Sequence, residues 1–540
     1  MTITTGRPPT LAPRGMVASP HALASAAGVD VLRGGGSAVD AAIATSAALS
    51  VIYPHMTSVG GDAFWLIYDA RARRVRYLDG AGRAARSASS ERLRRAGMDA
   101  VPLRGIAPAT LTVPGAVASW CAAHADHGTV ALRRDLEAAI EYARNGFPVT
   151  QRLADAIAGA ERDGVFNDHA GRIFVPDGRV PHAGEKIVNP GLANVLERIA
   201  SGGAEGFYRG ETGDTLAGYA RTEGGFFDEQ DLRAQAAQWE EPLKGTYRGV
   251  EVYETPAPTQ GFAVLEMLNL IEPYEIDAMD PLGPDLAHLL TQAKQIAYHD
   301  RDTLLADPAF ARVPLERLTS KAYAHERRQL IDMTRALRWD EVPSFGTLSG
   351  DTVFVTAVDA SGNAASLIQS LYFYFGSGVV AGDTGIVLQN RAAYFSLDPE
   401  HPNRLEAGKR PLHTLIASLA FRDGRLWQTL GCMGADGQPQ IQLQLFSALI
   451  DYGLDIQEAI ELPRFLSGRF SLGEARDTLH IEGRFPIETI NELEARGHVV
   501  NRWEPWNERA GHAHGITVDA RSGALSGGSD PRSDGAAIGY

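Results

Sequence analysis

The residue best suited to nucleophilic chemistry is Thr352, in the run Gly350-Asp351-Thr352-Val353-Phe354. Mostly small residues over 346–350 lead straight into a strand pattern, with the Thr at the junction. Cleavage before Thr352 would leave its α-amine beside its own hydroxyl, where it could act as the base. β-propensity alone also favours Thr at a strand start. A second segment, Gly431-Cys432-Met433-Gly434-Ala435-Asp436-Gly437, follows a strand pattern and precedes a helical one. Its small residues would let backbone N–H groups approach a reacting carbonyl and bind an oxyanion; a tight strand-to-helix turn accounts for the same composition. Lys409-Arg410-Pro411 and Gly528-Ser529-Asp530-Pro531-Arg532-Ser533 lie in the same C-terminal third.

Other chemistries leave no trace. There is no G-x-S-x-G elbow, P-loop or dinucleotide fingerprint. His325-Glu326 lacks the second His of a zinc helix, and Gly34-Gly35-Gly36 lacks the strand and Lys of a phosphate loop, so it reads as a helix stop. His299-Asp300-Arg301-Asp302 falls in a helical pattern and reads as a polar helix face. No metal or organic cofactor is implied.

The elements that must position these residues change character along the chain. Residues 21–32 and 37–51 read as helices, the second Ser-capped and apolar on most faces, hence buried. Residues 63–68 and 75–78 read as a hairpin. Helical patterns begin at Val117, Leu136, Gln151, Leu192 and Gly213, and a long helix spans 284–305. From 335 to 350 the pattern dissolves into a loop of the kind that tolerates cleavage. A hairpin over 352–358 and 364–371 follows, then strands at 385–388, 414–421 and 426–430 and helices at 440–452 and 488–496. This mixture predicts sheets covered by helices.

Hydrophobic content of 44% and charged content of 22% over 540 residues suit a globular protein with a large core. A net charge of −15 argues against an extended nucleic-acid or anionic-membrane surface. Cys121 and Cys432 are too few for a disulfide framework or structural zinc site and read as buried thiols. With no secretory h-region and no long apolar run, the expectation is a soluble, cytoplasmic protein without a membrane span.

Over nearly its whole length the chain resembles the γ-glutamyltransferase family of N-terminal-nucleophile hydrolases. The resemblance rests on Gly60-Gly61-Asp62-Ala63-Phe64, Val113-Pro114-Gly115, Pro256-Ala257-Pro258-Thr259-Gln260-Gly261, Gly350-Asp351-Thr352, Gly376-Ser377-Gly378, Lys409-Arg410-Pro411 and Ser529-Asp530-Pro531-Arg532-Ser533, in this order and spacing. It implies an α+β fold, a four-layer αββα sandwich formed jointly by two subunits cut from one precursor at Asp351/Thr352. The large subunit would be 1–351 and the small one 352–540, with a dimer of such pairs as a further expectation. Thr352 would be the nucleophile, Gly434 and Ala435 the oxyanion pair, with Ala replacing the usual second Gly, and Ser370 the hydroxyl residue near the nucleophile.

The departures bear on substrate. The family Arg that grips a substrate α-carboxylate is replaced by Ala81, with Arg83 two residues on; the Asp that grips the α-amine is replaced by Tyr394, and Arg391 stands where Gln is usual. His413-Thr414 replaces a Ser pair and Tyr372 an Asn. Loss of the amine's counter-ion costs about 1.5–3 kcal/mol of charge-assisted binding. The expected substrate is therefore a small amide with a carboxylate end and no amine, and the runs Tyr374-Phe375-Gly376-Ser377-Gly378 and Gln389-Asn390-Arg391 are similar to the branch of the family that hydrolyses oxamate. A γ-glutamyl hydrolase or transpeptidase, or an acylase removing glutaryl from a β-lactam nucleus, are the alternatives. Residual acyl transfer could accompany hydrolysis. Arg391 as a structural ion-pair residue, and the aromatic rings as core filling, are the bland readings.

Overall fold

The computed structural model describes residues 5–338, 351–469 and 475–540. Among them two seven-stranded antiparallel sheets dominate. One runs Thr10–Ala12, Leu525–Ser529, Ala513–Val518, Arg425–Cys432, Ser418–Arg422, Val250–Glu254, Leu243–Tyr247. The other runs Ala536–Gly539, Met16–Ser19, Asp351–Val358, Ala364–Tyr372, Asp62–Asp69, Arg74–Gly80, Gln238–Glu240.

Strand alternation explains the layering. Along the Asp351–Val358 and Ala364–Tyr372 hairpin, Phe354 and Ile368 join an apolar cluster with Leu419, Phe421 and Ile516 of the other sheet. The intervening Val353, Val355 and Leu367 join a second cluster with the helix Ala38–Ile52. A period of two sends successive side chains to opposite faces. The outer face of the first sheet packs on Gly261–Ile271, Pro284–Leu304 and Gln438–Ile450. These three apolar layers lie between four structural ones, giving an α+β, αββα sandwich.

The helix Ala38–Ile52 is buried along its whole length, and Ser37 closes a capping box with Asp40, as its sequence predicts. The hairpin Asp62–Asp69 with Arg74–Gly80 and the long helix Pro284–Leu304 also match expectation. Three readings need correction. Residues 385–388 make only isolated bridges, Gly60 with Leu388 and Val380 with Val387, because this segment wraps a sheet end. The 299–302 segment is not a solvated face: Asp300, Arg301 and Asp302 are buried and paired. Cys121 is half-buried rather than buried; Cys432 is buried, and both are free thiols. The expected loop lies, from 339 on, outside the described residues. Among the described residues no helix is long and apolar enough to cross a membrane.

Candidate active site

Thr352 is the second residue of an interior strand, and its side chain is buried. The register with the neighbouring strand slips here: Asp351 faces Tyr372, but Val353 faces Gln369. Ser370 and Leu371 thus share the space opposite one residue, a bulge of the kind that re-aims side chains at a sheet end. Thr352 Oγ1 lies 3.3 Å from Ser370 Oγ, to which it donates, and accepts a long contact of 3.4 Å from Gln438 Nε2. Ser370 Oγ in turn accepts from the Tyr372 amide at 2.7 Å. Tyr372, at the strand end, has φ 85°, a left-handed conformation that costs a side-chain-bearing residue energy.

The Gly-rich turn connects the strand Arg425–Cys432 to the helix Gln438–Ile450. Gly434 has φ 141° and Ala435 φ 45°. The amides of both lack an acceptor among the described residues. The turn is held from outside. Gln260 Nε2 donates to Ala435 O at 3.0 Å and to Thr414 O at 2.8 Å. Arg301, fully buried, donates to Gln260 Oε1 at 2.7 Å and to Asp436 Oδ1 at 2.8 Å. Tyr394 OH donates to the same Asp436 oxygen at 3.1 Å, and Tyr298 OH to the Asp436 carbonyl.

Arg391 is the buried cation of this region. It opens the short helical turn Arg391–Tyr394, which Asn390 ties to the hairpin that carries Thr352: the Asn390 amide donates to Leu371 O at 3.1 Å, and its side chain accepts from the Phe373 amide at 3.1 Å. Arg391 Nη1 donates to Thr414 Oγ1 at 3.2 Å, while Nε and Nη2 have no hydrogen-bond partner among the described residues. Its guanidinium carbon lies 4.6 Å from the Tyr372 ring centre and 5.6 Å from that of Tyr394. The two rings are 4.6 Å apart.

Asp62 and His413 stand beside it. Asp62 Oδ1 accepts from the Gly82 and Gly115 amides and from Gln389; Oδ2 has no hydrogen bond among the described residues and lies 3.6 Å from His413 Nε2. Burial raises the Asp62 carboxyl to about 7, with Arg391 pulling the other way. Burial, then the Arg391 and Arg410 charges, hold His413 far below the usual imidazole range, so it is neutral.

The structure therefore brings Thr352 with Ser370, and Arg391 with Tyr372, Tyr394, His413 and Thr414, and links the latter group to the Gly434–Ala435 turn through Gln260 and Asp436. Arg83 stands apart: its guanidinium donates to Gly408 O and to the Gln238 side chain. Asp79, on the strand before it, pairs with Arg410. Sequence reasoning missed Gln260, Arg301, Asp62 and Gln438 as site residues. Gln260 and Asp62 were in motifs already singled out, and Arg301 was in the charged run read as a polar helix face; a basic residue flanked by two acids, able to pair when buried, was the available signal.

An antiparallel αββα sandwich with a Thr at the bulged start of an inner strand and a clamped amide pair nearby defines a family: the chain belongs to the gamma-glutamyltranspeptidase family, whose model matches residues 24–540. It is thereby an enzyme acting on C–N amide bonds. Among its relatives, the glutathione hydrolase-like YwrD proenzyme of Bacillus subtilis is 41% identical over 527 residues, covering 97% of this chain and 98% of the relative. The oxamate amidohydrolase proenzyme of Klebsiella pneumoniae is 38% identical over 532 residues, covering 97% and 98%. The crystal structure of cephalosporin acylase from Bacillus halodurans superposes with a TM-score of 0.92 at 35% identity, covering 100% of this chain and 98% of that one.

Proposed function

We propose that this chain is a self-processing amidohydrolase that cuts a small, anionic, amine-free amide such as oxamate through an acyl-enzyme on Thr352. The observation that carries the reading is Arg391: a buried guanidinium, two of whose nitrogens have no hydrogen-bond partner among the described residues, faced by two tyrosines. A guanidinium recognises a carboxylate through such paired donors. An ammonium head group would meet like charge instead.

In the processing step, Thr352 Oγ attacks the Asp351 carbonyl carbon and the peptide nitrogen leaves, so the acyl group moves from N to O. Water hydrolyses the ester, leaving residues 1–351 and 352–540 as the two subunits, with a free α-amine on Thr352. In turnover that amine takes the hydroxyl proton as Oγ attacks the substrate amide carbon, then passes it to the departing ammonia. The Gly434 and Ala435 amides stabilise the oxyanion, worth roughly 3–4 kcal/mol per donor in comparable sites. Water then releases the acid. The oxamate amidohydrolase relative supports this substrate class.

A second reading has its own observation. The similarity to a cephalosporin acylase supports the acylase alternative, and the free carboxylate of the glutaryl group expected there from the sequence would suit Arg391 equally. Purified protein would be assayed for ammonia from oxamate, glutamate from glutathione and glutarate from a glutaryl β-lactam. Fastest turnover of oxamate is the expected result; faster glutathione hydrolysis refutes the role given to Arg391 and Tyr394. Thr352→Ala should remain a single band on a denaturing gel, and continued splitting would place the cleavage elsewhere.

A further inference from the structure

At the N-terminal turn of the helix Ala38–Ile52, three side chains converge that the proposed reaction does not use. Asp40 comes from the first turn of that helix, His124 from the helix Ala116–His127, and Asp135 from the helix Leu132–Asn145. One ligand-type atom from each lies within 4.8 Å of the others. His124 Nε2 is 3.8 Å from Asp40 Oδ1 and 3.8 Å from Asp135 Oδ2. The His124 Nε2–H also donates to the carbonyl oxygen of Val130 at 2.9 Å, so a cation bound at Nε2 would displace that proton.

The hydrogen bonding is lopsided. Asp40 Oδ2 accepts from the Ser37 amide, the Thr129 amide and the Thr129 hydroxyl, each at 2.8 Å. Asp40 Oδ1 and both oxygens of Asp135 have no hydrogen-bond partner among the described residues, although both side chains are wholly buried. Two facing carboxylates in an interior are costly unless a cation or a proton sits between them. Gly128 keeps the approach open: a Cβ there would meet Asp40 Oδ1 at 2.9 Å and the His124 ring at 2.7 Å. Gly128, Thr129 and Ser37, neighbours of the cluster, also line a cleft of about 500 Å³.

We infer that Asp40, His124 and Asp135 form a structural site for a divalent first-row cation, distinct from the Thr352 centre, with the ion taking the place of the His124 proton. Ligands about 2.1 Å from one ion lie roughly 3–4 Å from each other, the range of the two His124–carboxylate separations of 3.8 Å here. One imidazole with two carboxylates suits zinc or manganese better than calcium, which prefers an all-oxygen shell. The ion would pin three helices together on the outer face of the sheet that carries the nucleophile.

The test is titration of EDTA-treated, dialysed protein with zinc chloride by calorimetry, with a parallel thermal melt. Uptake of about one zinc per chain and a higher melting temperature are expected. Asp135→Asn and His124→Gln should each weaken uptake roughly tenfold or more, with circular dichroism unchanged. If Asp135→Asn does not fold, the part-exposed His124→Gln carries the comparison. No stoichiometric uptake by the wild type, or equal uptake by the variants, overturns the site and leaves a carboxyl pair that shares a proton.

Discussion

At the scale of single residues, the Asp62–Arg391 pair sets the pH behaviour. The folded protein favours protonated Asp62, whose carboxyl is raised to about 7 by burial. Its contribution to stability is thus full below the ordinary carboxyl range near about 4 and is lost as the pH rises through about 7. Asp62→Asn keeps an acceptor for the Gly82 and Gly115 amides but cannot titrate. Melting curves of the variant should lose the fall in stability between about pH 4 and pH 7; parallel wild-type and variant profiles would exclude Asp62 as the titrating group. The same ionisation acts on binding. Above pH 7 the Asp62 carboxylate becomes a counter-ion for Arg391 and competes with the substrate's own carboxylate, so KM for oxamate should rise there in the wild type and stay flat in Asp62→Asn. Arg391→Gln removes the cation but retains a donor toward Thr414. It should lower kcat/KM for an anionic amide by about 10- to 100-fold, the worth of a charge-assisted bond. An unchanged kcat/KM would return Arg391 to a purely structural role.

At the scale of elements, the Gly434–Ala435 turn is the part most obviously under strain. Ala435 sits at φ 45°, where a Cβ costs about 1–2 kcal/mol. Against this, Gly would lose about 0.4–1 kcal/mol through a freer unfolded chain. Ala435→Gly should therefore be neutral to stabilising by about 1 kcal/mol in urea unfolding, and clear destabilisation would mean that the Ala methyl group packs productively. The turn itself was legible because Gly residues between a strand and a helix have few other uses. The hairpin that carries Thr352 was legible because Thr352 to Val358 is apolar or β-branched, Ala364 to Leu371 is mostly apolar, and the two bracket a turn cluster. The clamp on the turn was not. Gln260, Arg301 and Asp436 come from three separate elements, and local periodicity carries no information about which buried polar groups meet across layers. Arg301 shows the cost of that blindness: a charged run in a helix usually faces water, whereas here its partners are Asp302 and Asp436, which make burial tolerable. Residues 385–388 failed for a related reason, since an apolar run can line a sheet end without joining a ladder.

At the scale of the whole molecule, the proposed cut falls inside a sheet rather than between domains. Asp351–Val358 and Ala364–Tyr372 lie in the middle of their sheet, flanked by Met16–Ser19 on one side and Asp62–Asp69 on the other. The other sheet is likewise shared, with Val250–Glu254 paired to Ser418–Arg422 and Thr10–Ala12 to Leu525–Ser529. Each of the three apolar layers draws side chains from both sides of residue 351. Separation of the pieces would expose both sheets' inner strands and all three layers, which is the cost of unfolding rather than of dissociation. Cleavage should accordingly leave one cooperative unit. Processed protein should give two bands on a denaturing gel, the smaller beginning at Thr352, yet elute as a single species on a sizing column. Its urea unfolding, followed by tryptophan fluorescence and by circular dichroism, should show coincident transitions. A small chain that elutes alone without denaturant, or two resolved transitions, would mean that the chain folds as two separable domains and that the shared sheets do not hold the subunits together.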